Sequence, residues 1–490
     1  MSRSLKTSCL NTSGRSRRSR LAAATGAAAS AAALALLGAC ALPPKGQMAP
    51  PAPELPQATA APAPARIAAD WWNSFNDPAL AALVTEALQH NRDLARALAR
   101  IEEARATLAL SGADRLPSVV ADASARRGRA SQTGNVPVGS SATSNTFRVA
   151  VGVDYEVDLW GRLAAADAAA RAELLATATT RDALYSTIAL QAVQAYAQLQ
   201  TLDAQRSVYT QAVQSQRESV RLQRLRFEGG DIAELDLRQI EGELATNESQ
   251  LPQLERASGE AERALALLLG RSPRALIEQG TARTPQARAA ANPTVPEALP
   301  SDLLLRRPDV VAAEARLAAA GARVDAARAA YFPRIALSAN LGRESADLSR
   351  LFDGPSLIWN TLASLTQPIW NAGRLQAASD AARARERVAE LDYRDAVANA
   401  FKEARDALGA RSESAETLRL TEQRAAALTR AADLTRLRAD AGESSRLQLI
   451  EAERLALAAQ AQLAEARRAA FVAQANVFRA LGGGWTMPER

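Results

Sequence analysis

Phe147-Arg148-Val149-Ala150-Val151-Gly152-Val153-Asp154-Tyr155-Glu156-Val157-Asp158-Leu159 is followed, after Trp160-Gly161, by 65 residues (162 to 226) that contain neither Gly nor Pro. In the first stretch every odd position is apolar, and Arg148, Asp154, Glu156 and Asp158 lie between them. Successive strand side chains point to opposite faces, so this alternation makes one apolar and one polar face. Its length meets the roughly 9 to 11 residues a tilted strand needs to cross a bilayer. The second stretch is dominated by strong helix formers, and a helix of that length reaches on the order of 100 Å. Ile188, Ala192, Ala195, Leu199, Leu202, Tyr209, Val213 and Val220 step along it by fours and threes, a coiled-coil seam broken at Arg206 and Gln216. Such a helix must pack lengthwise against others.

The same plan occurs twice. Gly161-Arg162-Leu163 returns as Gly373-Arg374-Leu375, Gly230 as Gly442, and Leu269-Gly270 as Leu481-Gly482, each 212 residues on. Equal offsets without drift indicate a tandem duplication. Pro117 and Pro333 fit at a nearby offset of 216. Further strands are expected over residues 118–126, 334–342 and 356–369, the last with weaker alternation. The second long helix is expected over 374–441, with its return over 443–481.

Outward from this body, the first 20 residues carry Arg3, Lys6, Arg15, Arg17, Arg18 and Arg20 and no acid, and an Ala/Leu-rich run ends in Leu37-Gly38-Ala39-Cys40. That is the layout of a secretory signal. Small residues before the cysteine resemble a lipobox, with cleavage before Cys40 and acylation there; an ordinary signal cut elsewhere is the alternative. Residues 41–65, mostly Pro, Ala and Gln, suit an extended tether. The six leader cations equal the whole formal charge of +6, so the remainder is neutral. A nucleic-acid partner therefore lacks the basic excess that phosphate binding needs. With Cys9 in the leader and Cys40 acylated, no thiol is left for disulfides or a thiolate metal site.

The expected organisation is a signal (1–39), an acylated cysteine and tether (40–69), a first repeat (70–270), a connector (271–308), a second repeat (309–484) and a tail (485–490). Two physical readings fit the strands. One is a sheet half buried in a soluble domain; the other is a transmembrane barrel, apolar toward lipid and polar inside. Export favours the barrel, and because four strands cannot close one, several chains must share it. An enzyme is not expected. His90 is the single histidine, and the chain carries no phosphate-cradling glycine loop and no nucleophile paired with a base. A non-pore periplasmic coiled-coil scaffold would explain the helices, though not the repeated strands.

Trp71-Trp72 with Phe75, Asp77-Pro78 and Leu80 opens a series of short blocks. It continues with Tyr155 to Arg162, Arg306-Arg307-Pro308-Asp309-Val310, Ala326 to Pro333, Gln367-Pro368-Ile369 before Gly373, and Ala480 to Trp485. In this order they resemble the outer-membrane factors of the TolC type, in the NodT-like lipoprotein branch. The resemblance implies a mainly α homotrimer in the bacterial outer membrane: a twelve-stranded β-barrel, four strands per chain, continued by a helical coiled-coil tunnel into the periplasm. It implies an exit duct for small solutes or drugs, working with a periplasmic adaptor and an inner-membrane pump of the RND type, or a type I secretion channel. The lipid on Cys40 would be the one attached group, with no other cofactor; Ala41 after it resembles the outer-membrane sorting pattern. Hairpin tips facing the adaptor would be Phe227, Gly229, Gly230 and Asp231, and Gly442, Glu443 and Ser444. The family's periplasmic aperture maps to Leu449-Ile450-Glu451-Ala452-Glu453-Arg454, with Leu447 as an apolar ring, Glu451 as an acidic one, and Glu453 adding further acidity. Glu451 and Arg454 fit equally an i, i+3 surface ion pair.

Overall fold

The computed structural model describes residues 70–129, 143–275, 281–285 and 307–483. Cys40, its leader and tether, and Trp485 lie outside them. A 3-10 turn, Trp71–Phe75, leads to α1 (Pro78–His90) and α2 (Arg92–Ala113), then β1 (Ser118–Arg129) and β2 (Thr143–Val157). The hairpin of α3 (Arg162–Glu228) and α4 (Glu234–Leu268) follows. The second half runs α5 (Pro308–Ala329), β3 (Arg334–Ser345), β4 (Leu357–Thr366), α6 (Arg374–Asp440) and α7 (Arg446–Ala480). Among the described residues no helix is long and apolar enough to cross a membrane.

The duplication is visible in the element lengths. α3 and α6 have 67 residues each, and α4 and α7 have 35 each. All their ends are 212 apart. α2 and α5 have 22 residues each, and β1 and β3 have 12 each, at an offset of 216. α3 and α6 run the full length of the bundle. On the sheet side α2 packs on α3 and α5 fits between α3 and α6. On the far side α4 packs on α3, and α7 packs on both α6 and α3. Each level therefore holds four helices.

At the waist, Trp71 stacks on Phe478 with centroids 5.3 Å apart, and Phe75 meets Phe471 at 4.5 Å. Asp77 caps α1 by accepting from the N–H groups of Ala79 and Leu80, with Pro78 at the first helical position, where its missing N–H costs nothing. Its other oxygen accepts from the buried Tyr196 hydroxyl at 2.6 Å. In the described part of the connector, Thr284 donates to Asp77 at 3.0 Å, and Arg283 pairs with Asp203 and Glu262.

Several boundaries differ from the sequence reading. β2 begins at Thr143 and stops at Val157 rather than Leu159. Asp158 leaves the ladder because its carboxylate accepts from the Ala164 N–H, 2.7 Å away, in the first turn of α3. β4 ends at Thr366, so Ile369 lies beyond it, and α5 begins at Pro308, inside the expected connector. Seam residues Ile188, Ala192, Leu199, Leu202, Val213 and Val220 are buried, and Arg206 is exposed. Gln216, expected to break the seam, is buried within it because Asn247 of α4 donates to its side-chain oxygen at 2.9 Å.

Candidate channel wall and hairpin tips

The four strands form one antiparallel sheet in the order β1-β2-β3-β4. Register places Ala121, Val151, Leu341 and Trp359 in one row, and Val157, Ile335 and Leu365 in another. Val151, Leu341, Trp359 and Leu365 are all exposed. The opposite face carries Asp122, Arg148, Asp154, Asn340 and Asn360, with Asn340 donating to Asn360 at 3.1 Å. Gly152 faces Asn340 there, and a Cβ at Gly152 would sit 2.8 Å from that side-chain oxygen. One face is thus fitted to hydrocarbon and the other to water. β1 and β4 each have one unpaired backbone edge, which hydrocarbon does not tolerate.

Trp160 locks the turn from β2 into α3, stacking on Phe332 at 5.0 Å and donating to the Pro333 carbonyl at 2.8 Å. Arg162 grips Glu156 through both carboxylate oxygens, at 2.8 and 2.9 Å.

Both hairpin tips close in one way. Asp231 N–H donates to Arg226 O and Gly230 N–H to Phe227 O, at 2.8 and 3.0 Å; Glu443 to Arg438 and Gly442 to Ala439 repeat this at 2.8 and 3.1 Å. The helix ends in a left-handed glycine, with φ of 81° at Gly230 and 79° at Gly442, a conformation that costs glycine little. Phe227 lies in the last turn of α3 rather than in the loop, whereas Gly229, Asp231, Glu443 and Ser444 lie between the helices. Only the second tip has a capping box, between Ser445 and Gln448. Leu222, Leu225 and Leu235 are exposed around the first tip, and Leu434, Leu437 and Leu447 occupy the same positions on the second.

Glu451 and Glu453 part company. Glu453 accepts from Arg436 of α6 at 2.7 Å, as its repeat mate Glu241 does from Arg224 at 2.6 Å. Arg454 grips Glu451 at 2.7 and 3.0 Å and, chiefly by these hydrogen bonds, holds its carboxyl below the usual range. The surface ion pair is therefore formed within the chain, and Glu453 is committed to the hairpin rather than to added acidity beside Glu451. No local sequence pattern marks Glu453's partner, because Arg436 and Glu453 meet only once the hairpin folds. The 212-residue offset from Arg224 and Glu241 was the available signal.

The chain matches the family model described as outer membrane efflux protein over residues 83–271 and 299–483, two segments that follow the two repeats. The cation efflux system protein CusC of Escherichia coli O6:H1 is 33% identical over 419 residues, covering 86% of this chain and 89% of that protein. The probable outer membrane lipoprotein SilC of Salmonella typhimurium is 30% identical, covering 85% and 88% respectively. The Campylobacter jejuni CmeC outer membrane channel superposes with a TM-score of 0.83 at 25% identity, over 87% of this chain and 90% of that one.

Proposed function

The chain belongs to the outer membrane efflux protein family, and from that premise we propose that three copies form a passive exit duct loaded by an inner-membrane pump through a periplasmic adaptor. The chain is an outer-membrane channel component of an efflux system. The observation that carries the assembly is the sheet: apolar on one face, polar on the other and open at both edges. Pairing β4 of one copy with β1 of the next removes every open edge, and three copies give twelve strands. Four helices at each level then continue the wall as a twelve-helix tunnel.

Cys40 carries the lipid that holds the chain to the membrane, an assignment supported by its lipobox setting and in keeping with the name of SilC. The adaptor engages the hairpin tips around Gly229, Gly230, Asp231, Gly442, Glu443 and Ser444. The repeated exposed Leu222 and Leu225, with Leu434 and Leu437, give both hairpins of each chain an equivalent apolar grip. Leu447 and Glu451 line the periplasmic aperture, with Arg454 tempering the charge of Glu451; a carboxylate ring at a constriction favours cations. The pump is of the RND type, and pump and adaptor select the cargo, since a water-lined duct makes few specific contacts.

The test is reconstitution of the purified lipoprotein in planar bilayers alongside its mass in detergent. Trimers with small, cation-preferring conductance are expected. A folded monomer without conductance would overturn the assignment.

A further inference from the structure

Ile369 and Trp370 are 95% and 86% exposed, further into solvent than any other large apolar side chain among the described residues. They follow β4, which runs toward the helices, and so sit at the helical end of one sheet edge. At the same end of the other edge, Leu110 lies on α2 and Leu116 just before β1, both exposed. Below the sheet the two edges continue as α6, with exposed Val388, and as α2, with exposed Leu98. Each lateral edge of the chain thus carries its own exposed apolar side chains, and the two sets differ.

We propose that the Trp370 indole, backed by Ile369, is the anchor that one copy sets against Leu110 and Leu116 of the next. The inference rests on the trimeric reading, since β4 meeting a neighbour's β1 brings these segments together. Different patches meeting head to tail give a ring when the rotation closes. A tryptophan buried at such a seam contributes a large contact area with few rotatable bonds, the usual make-up of an interface hot spot. Exposed apolar side chains on the helices at both edges, Leu110 on α2 and Val388 on α6, favour a protein partner over lipid as the cover.

Cys9 and Cys40 are the only cysteines of the chain, so engineered pairs give a readable test. Trp370→Cys is combined with Leu116→Cys or Leu110→Cys in the full-length lipoprotein, oxidised as the native assembly, then denatured without reductant. Covalently linked dimers and trimers are expected from at least one pair and from neither parent single variant. Trp370→Ala should lose the assembly at a lower temperature than wild type, while Trp370→Phe keeps it. The proposal is overturned if the wild type is trimeric but no pair crosslinks and Trp370→Cys in the intact trimer reacts with a water-soluble maleimide as fast as in the unfolded chain. A bimane probe at that cysteine quenched by brominated lipid tails overturns it equally. A wild type that never forms trimers removes the premise instead.

Discussion

Asn91 donates its side-chain amide to the carbonyl oxygen of Leu268 at 2.8 Å, tying the start of α2 to the end of the α3–α4 hairpin. The second repeat makes the same joint with a different residue. Arg307, at the matching position before α5, donates to the carbonyl of Ala480 at 3.1 Å and also holds Asp309 and Glu403. In both repeats a helix-end carbonyl with no intrahelical partner is satisfied by the residue just before that repeat's own 22-residue helix, far earlier in the chain.

Asn91→Ala removes that bond and the cap of α2, and should cost about 1–2 kcal/mol. Arg307→Ala should cost more, about 2–4 kcal/mol, because the buried guanidinium is lost, Asp309 is left without its partner and Glu403 keeps only Arg479. Midpoints of heat-induced unfolding in detergent check the order, and equal midpoints would contradict it.

The glycines at helix ends separate strain from space. Gly230→Ala meets no atom and should cost about 1 kcal/mol for its positive φ alone. Gly270, with φ of 71°, faces the His90 carbonyl so closely that a Cβ would overlap it, so Gly270→Ala should unfold at a distinctly lower denaturant concentration than Gly230→Ala. Similar midpoints would rule out the clash at His90.

Replacing Gln216 and Asn247 tests the polar step in the seam. The corresponding residues of the second repeat are Leu428 and Ala459, an apolar pair. Asn247→Ala alone leaves Gln216 buried without its partner and should cost about 1–3 kcal/mol, whereas adding Gln216→Leu should recover most of that. A double-mutant cycle measures the coupling; additive losses would mean that the two side chains act independently.

Acid should loosen the waist. Hydrogen bonds from Arg271 hold the Glu86 carboxyl below its ordinary value; burial pushes Asp309 up, but the Arg307 fork outweighs this and leaves it lowered too. Unfolded Asp and Glu bind protons near pH 3.9 and about 4.3. The native forms bind them only at lower pH, so this stability is complete above about pH 5 and is lost as pH falls through the native values. Unfolding midpoints measured from pH 7 downward should fall below about pH 4.5, and Arg271→Gln should flatten part of the fall. An acid limb untouched by that substitution would show that Glu86 does not contribute to it.

Glu451→Ala should raise single-channel conductance and reduce cation preference, while Arg454→Gln should strengthen that preference by freeing the carboxylate. Planar bilayer recordings decide; no change in either variant would leave the two residues as a surface pair.

The long helices, the four strands and their duplication were legible because each rests on a local period or a fixed spacing: 3.6 residues along α3, two along β2, 212 between glycines. What could not be read was decided by contacts distant in sequence. The burial of Gln216 depends on Asn247, the pairing of Glu453 on Arg436, and the joints at Asn91 and Arg307 on carbonyls at the far ends of hairpins. The exposure of Trp370 was hidden for another reason: an indole after a strand reads the same whether water, lipid or a neighbour covers it.

Equal arms impose a rule on how this molecule can change. One residue added to α3 alone would advance its tip by about 1.5 Å and turn it by about 100° against its neighbours, so six tips that should reach one plane would fall out of level. The four-residue drift between the offsets of 216 and 212 sits outside those arms. Arg129 to Arg162 spans 33 positions and Ser345 to Arg374 spans 29, so the difference falls beyond the first strand of each repeat and before its long helix. Since the copies diverged, tolerance for insertion has gone to the sheet end of the chain, and the hairpin arms have kept their measure.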